Sequence, residues 1–275
     1  MIKRILVGLG DVEYTRVAVA AAVDLAQRHE AEITAVTVVD HVRLDQVGPV
    51  PIGGGGAANE LRAYRLNLTR SIIEQAIAAC EDACRKAAVP YRLLYEEREP
   101  FDYFISASRY HDLMVFGLRH LFEHGVIDEP PDELVNLIES GVRPILAVSR
   151  EPRQIRKVLI AYGGSMPAAK TMRQFVQMRL WDDVQLRIVA FGASEEKAAN
   201  WLSGAAEYCR AHGYDPESEH VASAPSKALL PDAERWGADL IVLGNSSKGL
   251  LRRRIFGETT CQAIRESQIP LFLSQ

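Results

Sequence analysis

The chain has 275 residues and a formal net charge of −4, with 48% hydrophobic and 25% charged residues. That balance suits a packed α/β core, gives nucleic acid no electrostatic footprint, and contains no run near the ~18 consecutive apolar residues of a membrane span. The opening "MIKRILVGLGD" passes from a basic pair straight into a strand-like run without a signal-type cleavage pattern, so a cytoplasmic location is expected, with no membrane and no nucleic-acid partner.

In chain order, "RILVGL" reads as a buried strand, "TRVAVAAAVDLAQRH" as an amphipathic helix and "AEITAVTVV" as a second strand. The stretch "HVRLDQVGPVPIGGGGAANE" follows, with two prolines and four consecutive glycines. Such a composition is expected to form no regular element and to be a mobile surface insertion, with a functional lid as the alternative. Cys80 and Cys84 stand at helical spacing; without converging His or Cys ligands they read, with Cys209 and Cys261, as reduced thiols. "HDLMVFG" and "RPILAVS" complete the strands of the first half. "KVLIAY", "AAKTMRQFVQMRL", "VQLRIVAF", "ADLIVLG" and "PLFLS" then repeat the alternation.

The repetition is close enough to align. "KRILVGLG" and "RKVLIAYG" place Ile5 and Val158 at an offset of 153, whereas the glycines closing "HDLMVFG" and "ADLIVLG", Gly117 and Gly244, are offset by 127. The prolines of "ESGVRPILAVS" and "ESQIPLFLS", Pro144 and Pro270, keep nearly the same offset. The first half therefore carries about 26 extra residues, placed at roughly 41–66, and the domains read as 1–150 and 151–275. Near-continuous Val/Ile/Leu strands separated by helices mean parallel strands covered on both faces. Each half is thus a doubly wound, Rossmann-like α/β domain of about five strands, with its ligand loops at the carboxyl ends of the strands.

These two units, each beginning "ILVxxx" and closing with a glycine loop, a helix and "P-[IL]-[LF]", resemble the universal stress protein family in its tandem form. The resemblance covers nearly the whole chain. It implies two such domains packed as a pseudo-dimer, with "RPILAVS" joined to "PLFLS" across a pseudo-twofold axis. In nucleotide-binding members an Asp ends the first strand, as in V-A-x-D-G-S, and a later G-x2-G-x9-G-[ST] loop wraps the phosphates.

On that resemblance the second half keeps part of a site. In "AYGGSMPAA", Gly163 stands where the family has Asp, while Gly164 and Ser165 match. In the later loop Gly244 and Gly257 match, Asn245 follows the first glycine, Ser247 replaces the second glycine, and Glu258 precedes Thr259 and Thr260. Main-chain N–H groups, a helix N-terminus and two hydroxyls are the right donors for a phosphate. The same residues also suit a structural role, with Gly244 as a tight strand exit, Gly257 as an unusual backbone angle and Thr259 or Thr260 as a helix cap. Arg252, Arg253 and Arg254 form either a steering patch or a solvated face.

The first half departs further. Gly10 replaces the family Asp, Asp11 lies one residue late unless the register shifts, His120 stands at the second glycine and Pro130 at the distal one. Proline lacks the N–H a phosphate cradle needs, and Asp128, Glu129, Asp132 and Glu133 would repel an anion, so this half is expected to hold no nucleotide.

No H-E-x-x-H pattern, S-G-G-x-D-S loop or full G-x-G-x-x-G appears, and no nucleophile, base and orienting acid can be nominated together. No catalytic residue and no metal ligand is therefore assigned. The resemblance implies a non-catalytic stress-response or signalling binding module. Its second domain would hold ATP, AMP or a phosphate or sulfate ion weakly, its unidentified partner would be a protein, and homodimerisation is compatible with the sequence. The alternative is an ATP-binding protein with slow nucleotide hydrolase or transferase activity.

Overall fold

A computed structural model describes residues 1–38, 53–96, 100–119, 132–142, 144–244 and 258–274. Among these residues ten strands form one sheet in the order β3-β2-β1-β4-β5-β10-β9-β6-β7-β8. The first half supplies β1 (Arg4–Gly8), β2 (Glu32–Val38), β3 (Tyr91–Glu96), β4 (Leu113–Gly117) and β5 (Ile145–Val148). The second supplies β6 (Lys157–Ala161), β7 (Gln185–Phe191), β8 (Glu217–Val221), β9 (Leu240–Gly244) and β10 (Leu271–Ser274). Within each half every pairing is parallel, and the single antiparallel step joins β5 to β10, with Leu146 opposite Phe272. This is the expected junction of the two final strands.

That step reverses one half against the other. The carboxyl ends of the first-half strands share an edge with the amino ends of the second-half strands. The connector at residues 149–156 therefore stays on one edge. It crosses three strand spacings, about 14 Å, which eight residues reach easily.

Helices cover both faces because the strands are apolar on both. On one side lie α1 (Val12–His29), α2 (Gly55–Ala87), α5 (Met166–Met178) and α6 (Glu195–Ala211), packed over Ile5, Val7, Ile33, Ile160 and Ile188. On the other lie α3 (Pro100–Ser108), α4 (Asp132–Glu139), α7 (Pro225–Trp236) and α8 (Glu258–Glu266), over Leu6, Met114, Leu159, Ile241 and Leu271. Phe175 of α5 meets Phe272 of β10 edge-on at 5.4 Å, anchoring the second half's first helix to the junction strand. His29 at the end of α1 lies 3.2 Å from the Leu180 carbonyl, a second link between the halves.

The glycine-rich stretch departs from its expectation. Gly53 adopts φ +89°, Gly54 is the N-cap, and Gly55 and Gly56 lie inside the first turn of α2, which continues for 33 residues. Each glycine costs a helix about 1 kcal/mol relative to alanine, but extending an existing helix adds a hydrogen bond for each residue fixed. The long amphipathic run behind the glycines therefore recruits them. Part of the 41–66 insertion is consequently helical, while residues 41–52 lie outside the described residues.

Candidate functional site

The second-half turn follows β6 at its carboxyl end. Ser165 caps α5, its hydroxyl accepting from the Ala168 N–H at 3.3 Å, and Gly164 holds φ +65°. Gly164 cannot be replaced without movement, because a Cβ there would sit 2.2 Å from the Trp201 indole. Gly163 differs: a Cβ there would meet nothing within 4 Å. Position 163 is thus open space beside a turn pinned by Trp201 of α6.

Gly244 ends β9 against the first turn of α5. A Cβ on it would lie 2.6 Å from Ala168 Cα and 2.9 Å from the Pro167 carbonyl oxygen. Gly163, Gly164, Ser165 and Gly244 are therefore brought together at the carboxyl edge of β6 and β9. The structural reading of Gly244 as a tight packing point holds as well, since only glycine permits this approach.

Thr259 and Thr260 occupy the first turn of α8 behind Glu258, so neither is the N-cap residue. Thr260 is buried and Thr259 half-buried, which leaves Thr259 the better-presented hydroxyl. Their N–H groups have no intrahelical acceptor, as at any helix start. Residues 267–270 lead from α8 directly into β10, so α8 ends near the amino edge of the sheet and its first turn points back toward the edge where β6 and β9 finish. Asn245, Ser247 and Gly257, together with Arg252, Arg253 and Arg254, lie outside the described residues.

Two contributors escaped the motif reading. Pro167 removes one N–H donor from the first turn of α5, weakening any anion cradle there. The signal was visible as "GSMP". Trp201 lies 37 residues from Gly164 and belongs to no motif, so only the folded chain reveals their contact.

In the first half the corresponding edge is built differently. The Asp11 carboxylate is the N-cap of α1 and accepts from the N–H groups of Glu13 at 3.0 Å and Tyr14 at 3.4 Å, while the Gly10 N–H donates to Thr15 Oγ1 at 3.0 Å. Asp11 Oδ1 is thus engaged as the cap of α1. A Cβ on Gly8 would strike the Phe116 ring at 2.4 Å, and one on Gly117 would strike Tyr14 at 2.7 Å. Arg150 lies over the Tyr14 ring at 5.5 Å and 3.3 Å from the Glu13 carboxylate. Gly117 is thus a tight packing point like Gly244, and the Arg150–Glu13 pair lies exposed near it. Of the degenerate first-half loop, His120 and Pro130 lie outside the described residues.

A cleft of about 730 Å³ lies elsewhere, between α1, β5, the connector and the segment before β7, lined by Val17, Asp24, Arg28, Arg153, Trp181 and Pro270 among others. It contains none of the nucleotide-frame residues. Cys80, Cys84 and Cys209 are buried and free. Burial raises the Cys209 thiol to about 11, so it stays protonated near neutral pH. Among the described residues no cluster has metal-ligand geometry, and no helix is long and apolar enough to cross a membrane.

The sequence model of the universal stress protein family matches residues 1–102 and 182–274. The chain belongs to the universal stress protein family. A curated relative, universal stress protein Slr1230 of Synechocystis, is 28% identical over 137 residues; the match spans about half of this chain and 48% of that protein. A universal stress protein structure from Archaeoglobus fulgidus DSM 4304 superimposes with a TM-score of 0.68 at 16% identity, covering 100% of this chain and 96% of that one. A universal stress protein solved in complex with cAMP is 22% identical, covering 45% of this chain and 98% of that one, with a TM-score of 0.39. The tandem universal stress protein fold is thereby shown across the whole chain.

Proposed function

We propose that this universal stress protein is a binding module without turnover, whose second half holds the phosphate end of an adenine nucleotide, or an inorganic anion, weakly. The observation that carries the reading is the convergence of Gly163, Gly164, Ser165 and Gly244 at one strand edge, with open space at Gly163 and helix N-termini directed there. On the family resemblance, Gly163 stands where nucleotide-binding members carry a carboxylate. Losing that acceptor costs about 1.5–3 kcal/mol where such a bond is made, a tenfold to hundredfold loss in affinity. Pro167 removes a further donor, and Glu258 adds like charge near a phosphate.

The first half contributes no nucleotide site in this reading, since Gly10 supplies no carboxylate and Asp11 is engaged as the cap of α1. The absence of a nominated nucleophile and base supports binding over hydrolysis. The test is calorimetry with ATP, AMP and phosphate, together with a sensitive phosphate-release assay on the pure protein. Weak binding in the second half without release is expected. Tight ATP binding overturns the weakness, and release that disappears in Thr260→Ala overturns the non-catalytic reading.

A further inference from the structure

The first-half loop after β4 makes a contact that the binding reading does not use. Arg119, two residues past Gly117, donates from one guanidinium nitrogen to the main-chain carbonyl of Arg265, and the same nitrogen lies 3.4 Å from the carbonyl of Ser267. Both acceptors lie at the carboxyl end of α8, in the other half of the protein. The antiparallel step between β5 and β10 makes this reach feasible, because the edge where β4 ends is the edge where α8 ends.

α8 needs such help. It has nine residues, below the length at which an isolated helix persists in water, and its last carbonyls have no partner within the helix. A fixed cation at a helix carboxyl end both satisfies those oxygens and complements the helix dipole. α4 of the first half also packs against α8, so the helix is held laterally as well. The arrangement is one-sided in sequence: at the offset of 127 the residue corresponding to Arg119 is Ser246, too short to make the same reach toward the first half.

We infer that Arg119 is a positioning residue for the second-half site: it clamps the carboxyl end of α8 and thereby fixes the first turn that carries Thr259 and Thr260. This rests on the proposed anion-binding role of that turn. It assigns the first half a task. The loop that no longer wraps a phosphate of its own holds the helix that faces one in its neighbour.

The test uses the full chain with Arg119→Gln and Arg119→Lys. Hydrogen–deuterium exchange of the 258–267 amides reports the clamp without any ligand, and calorimetry with ATP reports the site. Arg119→Gln should speed α8 exchange tenfold or more while β9 and α7 remain protected, and should weaken ATP binding threefold to tenfold. Arg119→Lys, which keeps the charge, should recover part of both. Unchanged α8 exchange in Arg119→Gln overturns the clamp. Faster α8 exchange with unaltered ATP affinity overturns the positioning role. If the unaltered protein binds neither ATP nor phosphate, the binding function fails and takes the positioning role with it, while the exchange data still decide the clamp.

Discussion

Replacing Gly163 by Asp should restore the missing acceptor at little structural cost. A Cβ at this position meets nothing within 4 Å, and Gly163 is not among the glycines with positive φ, so neither collision nor backbone strain opposes the side chain. The neighbouring glycine could not serve: a side chain at Gly164 would drive into Trp201 from a left-handed backbone. One charge-assisted hydrogen bond is worth about 1.5–3 kcal/mol, hence about tenfold to hundredfold in ATP affinity. Glu258→Ser adds to this. Glu258 is exposed, so its repulsion of a phosphate about 4 Å away is near the water-like limit of about 1 kcal/mol, roughly fivefold. Isothermal titration calorimetry of the unaltered protein, both single variants and the double variant should therefore show a rise of roughly 50-fold to several hundredfold. Gly10→Asp is the control: that turn is tied up by Thr15 and Asp11, and the variant should gain nothing. A folded Gly163→Asp protein with no gain in ATP affinity would refute the placement of the site.

Gly244→Ala should destabilise by about 1–3 kcal/mol, because the methyl must displace the backbone of α5 at Ala168, whereas Gly204→Ala, in open space within α6, should stabilise by about 0.5–1 kcal/mol; thermal denaturation of the pair checks both signs. Asp232 is buried and bonded to Arg187 at 3.1 Å and Arg235 at 3.2 Å, so Asp232→Ala, which leaves the buried Arg187 with Glu219 and the Trp236 ring, should cost about 1.5–3 kcal/mol in urea unfolding, and a cost below about 0.5 would show the network to be dispensable. His111 sits between the Ala107 carbonyl at 2.8 Å and Thr34 Oγ1 at 3.0 Å, and burial holds its pKa below the ordinary 6.5. Its folded state binds fewer protons than the unfolded chain, so this contribution is complete above about pH 6.5 and is lost as the pH falls through the lower folded value; His111→Gln should flatten that part of a stability-versus-pH curve.

The tandem architecture was legible because burial on both faces forces long apolar runs, and the same runs occur twice at a measurable offset. "RPILAVS" and "PLFLS" could be matched for the same reason, and they meet as β5 and β10. The meeting of Gly164, Ser165 and Gly244 at one strand edge was also legible, because a left-handed turn, a helix cap and a close backbone approach each select a residue type. The start of α2 was not, because propagation from a distant amphipathic run overrides the local preference of Gly55 and Gly56. Trp201 and Arg119 were invisible for a different reason: each acts through a contact far along the chain, 37 residues to Gly164 and 146 to Arg265, and neither carries a local pattern.

The reversed junction at β5 and β10 gives the molecule a polarity that a single domain lacks. One pole presents the open turn beside Gly163. The opposite pole carries the Asp11 cap of α1, the exposed Arg150–Glu13 pair and the Arg119 contact with α8. A perturbation at that pole therefore reaches the other through α8 without occupying any of the surface around Gly163. The two poles are thus separate in surface yet joined through α8, whose carboxyl end lies at one and whose first turn faces the other.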